Sequence, residues 1–334
     1  MSTVGGDKVT WKDYASQQDP DGKAARIIDI LAQQNDIIDD MFVIPGNKEY
    51  GLQTSQLASE PTVTIRGINQ GITATKAAFK QIRAEAALFT ALGQVDKELV
   101  DAAEDKAGFR ANQNKPYIGA MGKRLAEELF YGAIADDAQS FNGLAHFYSS
   151  TTAENFGNYV FNAGGEGDDN RSLWLIDWDE DACCGFYPKN TQVGLQHTPF
   201  DSVKLITLED GSRWPCYEDL WEWRSGIAVR NYKKVVRVAN IDASALASIG
   251  TATDTSADLL NLMIDAIETI PNLSPRARFY CDRKVKAAFT KKAIGKANAF
   301  LTMTELANKK ITPSFLGVPI RLCEALNTDE AAIA

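Results

Sequence analysis

The 334-residue sequence predicts an α+β fold. Apolar residues recur at helical spacing near both ends of the chain and at 115–131, while the stretch 156–240 changes to a period of two and holds five of the six tryptophans. A third stretch, 45–71, carries four glycines and two prolines and too few apolar residues to build a core.

Composition narrows the class of protein. With 45% hydrophobic and 24% charged residues the chain reads as folded and soluble, and 334 residues are enough for two sizeable cores. The opening MSTVGGDKVTW has no basic stretch leading into an apolar one, and no segment approaches the roughly 18 uninterrupted apolar residues of a membrane span. Neither secretion nor membrane insertion is expected. Five cysteines at 183, 184, 216, 281 and 323 form neither a disulfide framework nor paired zinc spacing, so they read as reduced thiols. The formal charge of −9 argues against a general nucleic-acid binder. Between Arg276 and Lys310, however, ten basic residues face two acids, which leaves −17 on the remainder and suits a basic face mated with an acidic neighbour or with DNA.

The elements follow in order. Ile27, Ile30, Leu31, Ile38 and Met41 recur three or four apart among aspartates, predicting an amphipathic helix over 23–42 whose stripe needs a docking partner. Pro45-Gly46 breaks it and opens a projecting two-stranded loop, in which Thr62, Val63, Thr64, Ile65 and Arg66 form the clearest strand. Residues 73–93 are mixed, since alanines favour helix while Phe79, Gln81 and Arg83 alternate. Residues 95–107 read as helix. The strongest helix spans 115–131: Asn114 can cap it, Pro116 suits its first turn, Ile118, Met121, Leu125 and Leu129 make its stripe, and Gly132 ends it. Lys123 with Glu127 and Arg124 with Glu128 are expected on its outer side. In the β-rich stretch Trp221 and Trp223 alternate with Glu222 and Arg224, so each strand has one face to bury. Beyond 240 a helix starts near Thr255, carries Leu260, Ile264 and Ile267 and stops at Pro271, followed by a strand at 277–281, a basic helix at 284–294 and a strand at 318–322.

Candidate chemistry is sparse. DWDED (177–181) begins like a calcium loop, but the required glycine and glutamate positions hold Ala182 and Pro188, so a surface turn is expected. GGEGDDN (164–170) lacks phosphate-loop spacing and its aspartates repel phosphate. Cys183 and Cys184 with His197 are the one arrangement that could serve a cysteine-dependent hydrolase, and His146 is the only other histidine. Arg224, Arg230, Lys233, Lys234 and Arg237 around Tyr232 resemble a single-strand-binding sheet without its signature, leaving a nucleic-acid-binding module as a further alternative.

The order of longer motifs points elsewhere. FRANQNKPYI (109–118), LFYG (129–132), FNGL (141–144), SLWLIDW (172–178), GFYPKNTQVGLQH (185–197) and GIAVRNYKKVVRVANID (226–242) follow one another, with FYCDR (279–283) and FLGVPIR (315–321) as weaker landmarks. In this order the chain resembles the major capsid proteins of short-tailed double-stranded-DNA bacteriophages, built on the tailed-phage and herpesvirus capsid fold. The resemblance implies an N-terminal arm (1–44), an extended β-hairpin loop (45–75), a peripheral-domain part (76–142) with a long spine helix at 115–132, a β-rich domain (143–240) and an α/β C-terminal part (241–334). Mixed α/β peripheral and axial domains are shared discontinuously among these parts.

The function so implied is self-assembly through hexamers and pentamers into an icosahedral shell around phage DNA, with no enzymatic activity, cofactor or metal. The implied partners are other copies, a scaffolding protein, a portal protein, a decoration protein and, without sequence specificity, the packaged double-stranded DNA. A membrane is not among them. The location is the virion, assembled in the bacterial cytoplasm from a rounded precursor shell that later expands. Subunit contacts are expected at Ile27, Ile30, Leu31, Ile38 and Met41 of the arm, at Lys48, Tyr50, Thr62, Thr64 and Arg66 of the loop, and at Arg224, Arg230, Lys233 and Lys234. Some relatives cross-link a loop lysine to a neighbour's asparagine. Lys48 is the only lysine of the expected loop.

Overall fold

The computed structural model describes residues 34–207, 211–242, 259–294, 301–305 and 311–333. Its helices are α1 (Ile37–Asp40), α2 (Lys97–Ala102), α3 (Lys106–Tyr131), α4 (Leu144–Phe147), α5 (Leu259–Thr269) and α6 (Arg283–Ile294). The strands before the tryptophan-rich region are β1 (Val43–Pro45), β2 (Gly51–Ser59), β3 (Ala78–Glu85) and β4 (Ala87–Asp96). Then come β5 (Val160–Asn162), β6 (Asn170–Ile176), β7 (Cys183–Tyr187), β8 (Leu195–Thr207), β9 (Arg213–Val229) and β10 (Val235–Asp242). The last four are β11 (Arg278–Cys281), β12 (Leu301–Glu305), β13 (Ile311–Phe315) and β14 (Val318–Leu322). The described residues divide into two units, one within Leu88–Leu125 and Gln192–Arg224, the other within Asn35–Ala87, Ala126–Thr191 and Ser225–Ala334.

In the first unit β8 pairs antiparallel with β9 from Leu195↔Trp223 to Thr207↔Arg213, and β9 is followed by β4. The N-terminal part of α3 lies against β4, where a side chain at Gly93 would press on the Tyr117 ring. Val95, Leu99, Val100 and Phe109 are buried together with Tyr217 packed on them. Residues 78–85 and 87–96 are strands despite their alanines, because ladder pairing, joined in 87–96 by partial burial, outweighs an intrinsic preference of at most about 1 kcal/mol per residue.

The long helix begins nine residues earlier than expected. Asp105 caps it, its carboxylate accepting from the Gly108 N–H at 2.9 Å. Asn114 is no cap but a buried residue of the helix interior, and Pro116 lies inside the helix. Proline there removes one backbone bond, a loss set against the burial of Phe109 about two turns before it. Met121, Leu125 and Leu129 are buried as expected, but Ile118 is exposed. Glu128 is also buried rather than on the outer side, and accepts from the Ser140 hydroxyl.

The second unit holds a seven-stranded sheet in the order β12-β13-β14-β11-β6-β10-β5. Its β11–β14 and β10–β5 pairs are parallel and its β6–β10 and β6–β11 pairs antiparallel. Leu173, Leu175, Val236, Val238, Phe279 and Ile320 point to one face, where they meet Met263 of α5 and Val285 and Phe289 of α6. The other face carries Trp174, Ser172 and Arg237, and Trp174 packs against Phe130 and Tyr148. All seven residues of β6 are buried, as a strand covered on both faces must be. The strands expected near 277–281 and 318–322 and the helix near 284–294 all form. The expected helix start at Thr255 lies outside the described residues.

Candidate functional site

Among the described residues the conspicuous feature is a hairpin that stands clear of any core. β2 and β3 pair antiparallel from Gly51↔Glu85 outward to Ser59↔Ala78, with residues 60–77 between them. Its root is fixed. Leu52, Cys184, Phe186 and Ala228 are buried together, with Phe42, Ile44, Ala84 and Ala86 against them. Arg230 ties it further, donating to Thr54 Oγ1 at 3.2 Å, while its carbonyl accepts from Gln56 Nε2 at 2.5 Å.

Outward from the root, among the described residues, the large apolar side chains of the hairpin's far part lie open. Val63, Ile65, Ile68, Ile72 and Phe79 are 90%, 102%, 93%, 66% and 70% exposed. The expected strand Thr62–Arg66 does not form among the described residues: this segment joins no ladder, and the Thr75 hydroxyl donating to the Thr62 carbonyl at 3.1 Å links the two sides. β-Branched alternation suits a strand, but a strand also needs a partner, and the described residues supply none here. Lys48, Tyr50, Thr62, Thr64 and Arg66 are all exposed.

Other expected contact residues are engaged within the chain. Met41 is buried, and a side chain on Gly185 would meet its thioether. Ile37, the stripe's neighbour, is wholly buried, whereas Ile38 is half-buried. Two side chains pin this stretch. The Arg321 guanidinium donates to both Asp40 oxygens at 2.7 and 2.8 Å, and Asn35 Oδ1 accepts from the Ala325 N–H at 2.9 Å. Ile27, Ile30 and Leu31 lie outside the described residues.

Of the basic strand residues, Lys234 donates to buried Asp177 at 2.9 Å and to the Asn272 carbonyl at 2.7 Å, so it is not available to a neighbour. Arg230 is committed to the hairpin root in the same way. Arg237 is buried against Glu330 at 2.9 Å. Arg224 pairs with Glu222 at 3.2 Å while remaining partly exposed, and Lys233 is exposed. Basic residues alternating along a strand signal charge, but not whether a carboxylate waits opposite. That is why Arg230, Lys234 and Arg237, whose partners lie in their own chain, read from sequence as one charged stretch with Arg224 and Lys233.

Among the described residues no catalytic arrangement emerges. Cys183 and Cys184 are buried, and burial raises both thiols, Cys184 to about 11, so neither is a thiolate at neutral pH. His197 is held by Asp219, Nε2 to Oδ1 at 2.9 Å, and stacks on Trp221 at 4.0 Å between centroids. Asp219 also accepts from Arg110 at 3.0 Å, forming a structural cluster in the first unit. A cleft of about 750 Å³ at the hairpin root mixes Lys48, Arg83 and Lys189 with Glu49 and Glu85, and neither cysteine nor histidine lines it. Among the described residues there is no group of three or more metal-ligating side chains, and no helix is long and apolar enough to cross a membrane. Of DWDED, Asp177 is buried against Lys234 and Ser274, while residues 179–181 form the exposed turn.

The conspicuous sequence motifs prove architectural. In LFYG and FNGL, Gly143 donates its N–H to the Gly132 carbonyl at 2.8 Å. A Cβ on Gly143 would lie 2.6 and 2.7 Å from the carbonyl oxygens of Glu128 and Phe130, so only glycine lets the chain turn back onto the end of α3.

The family model of the major capsid protein GP7 matches residues 19–334. A structure from bacteriophage Epsilon15 is similar over 100% of both chains, with 28% identity and a TM-score of 0.74. A capsid of bacteriophage JBD30, decorated with minor capsid protein trimers, shares the fold at 13% identity and a TM-score of 0.50, covering 90% of this chain and 94% of that one. No curated protein matches the sequence.

Proposed function

This chain belongs to the major capsid protein GP7 family, and from that premise we propose that its copies lock together through the projecting hairpin and the N-terminal segment. It is a shell-forming structural protein of a phage virion, with the tailed-phage capsid fold, and not an enzyme. The observation that carries the proposal is the hairpin's composition. Five large apolar side chains between 63 and 79 are at least 66% exposed, on a segment with no core of its own. Fully burying each against a neighbour stabilises a contact by about 1.5–3 kcal/mol before ordering costs. Repeated under shell symmetry, such modest contacts compound into a closed assembly.

The finer reading has copies arranged as hexamers and pentamers of an icosahedral shell, formed in the host cytoplasm around a scaffolding protein and a portal protein. The shell then expands as DNA enters. A decoration protein on the outside and non-sequence-specific contact with the packaged DNA complete the set of partners. The exposed loop residues Lys48, Tyr50, Thr62, Thr64 and Arg66, with Arg224 and Lys233, support this as contact positions, and Ile27, Ile30 and Leu31 are proposed to join them.

The test is sedimentation and imaging of the purified chain, alone and with scaffolding protein. Shells or capsomers support the reading. A monodisperse monomer or dimer at high concentration in both conditions overturns it.

A further inference from the structure

We infer that the acidic helix α5 of one copy lies beside the basic helix α6 of the next, so that copies of this chain join head to tail into closed rings. The inference deepens the shell-forming reading and rests on it. It begins with a reversal of charge along the sequence. Residues 242–275 hold five acids, Asp242, Asp254, Asp258, Asp265 and Glu268, and no base, whereas 283–310 hold eight bases and one acid, Glu305. Solubility is served by interspersed charge and does not call for two neighbouring blocks of opposite sign.

The fold then sets the two blocks on one face of the seven-stranded sheet. α5 packs on β10, towards the β5 edge, and α6 packs on β12, β13 and β14, towards the opposite edge. Each helix buries one side and turns charge outward. In α5, Met263 and Ala266 are buried, while Asn261, Asp265 and Glu268, four and three residues apart, form an exposed stripe. In α6, Val285 and Phe289 are buried, while Lys284 and Lys291, about two turns apart, stand exposed. The loop 163–169 after edge strand β5 adds exposed Glu166, Asp168 and Asp169 to the acidic side. Among the described residues none of these charged side chains enters an ion pair, whereas Arg283 is satisfied within the chain by Glu324.

That placement selects a second copy as the occupant. A neighbour set beside the sheet in the same orientation brings base against acid, and one turned to meet like edge with like edge brings charge against its own sign. A face-to-face pair would also match base with acid, but it stops at two copies, whereas a head-to-tail contact repeats until the ring closes. Exposed pairs contribute little affinity each, so these charges orient the contact and reject the wrong one.

Carbodiimide, which joins a carboxylate to an amine without a spacer, tests this on the parent chain. Shells assembled from equal parts of ordinary and isotope-labelled subunits should give peptides that link Asp265 or Glu268 to Lys284 or Lys291 across the two labels, with covalent species beyond the dimer on a denaturing gel. Free subunits should give neither. Asp265→Lys/Glu268→Lys and Lys284→Glu/Lys291→Glu should each melt like the parent and yield at least about tenfold fewer shells, and the variant with all four changes should assemble better than either. Links that are absent from shells, equal in free subunits or confined to one label overturn the inference, as does a gel ladder that stops at the dimer. A reversal variant that assembles like the parent overturns it too, including one whose shells form normally and fail only to retain DNA, which would assign α6 to nucleic acid. Failure of the parent to form any shell contradicts the shell-forming reading instead, and the inference falls with it.

Discussion

Glu330 accepts from Arg237 at 2.9 Å where both side chains are under a tenth exposed, which ties the last described segment of the chain to the middle of the seven-stranded sheet. The same carboxylate takes Ser172 Oγ at 2.5 Å and Tyr131 OH at 2.5 Å, and Arg237 lies 5.0 Å over the Trp174 ring. Beside it, Asn240 and Ile333 exchange two hydrogen bonds of 2.8 Å. Strand β10, strand β6, the end of α3 and the C-terminal segment therefore share one buried polar node.

Removing one partner leaves a buried charge alone. Glu330→Ala should destabilise the unassembled subunit by about 3–5 kcal/mol in chemical denaturation, and Arg237→Met/Glu330→Leu should recover most of the loss, because the desolvation of both ions disappears with them. A Glu330→Ala subunit as stable as the parent would mean that the node is hydrated.

The thiols give a second prediction. All five are buried, and burial raises Cys184 to about 11 and pushes Cys183 and Cys281 well above the ordinary range. A thiol reagent at pH 8 should label none of the five in the native subunit and all five in denaturant. Raised thiol values also mean that folding favours the protonated form. These groups' contribution to stability is complete below pH 9, their unfolded value, and is lost as pH rises through about 11 for Cys184. Melts between pH 8 and 11 should show stability falling, and rapid native labelling at pH 8 would contradict the burial.

Gly143→Ala offers a third. Its methyl would be forced onto two backbone carbonyls, and backbone cannot yield as a flexible side chain does. The expected loss is about 1–3 kcal/mol, read as a lower denaturation midpoint. An unchanged midpoint would show that the turn after α3 can shift.

How far the sequence could be read depended on whether a residue's partner was local. The strand at 318–322 and the basic helix at 284–294 were legible because period and end signals lie within a dozen residues. Asn114 and Pro116 mimicked a helix start, since nothing local reveals that Phe109 is buried against residues 95–100 and carries the helix further back. Arg230, Lys234 and Arg237 read as a charged face because their acceptors, Thr54, Asp177 and Glu330, are 176, 57 and 93 positions away. The projecting loop was legible from its glycines, prolines and lack of core residues, but its strands were not. β2 and β3 pair on either side of 62–66, the stretch's clearest β pattern, and among the described residues that segment joins no ladder.

Loop excision tests the central claim most directly. Ser59 and Ala78 are paired, so residues 60–77 can be replaced by an Asn-Gly turn that closes the hairpin at that point. Parent and shortened chains are then compared by melting and by sedimentation with scaffolding protein. Melting should be unchanged within about 0.5 kcal/mol, since little that is buried is removed, and shells should form from the parent only. Shortened subunits that still close into shells, or that unfold, would show that the exposed segment is not what holds the copies together.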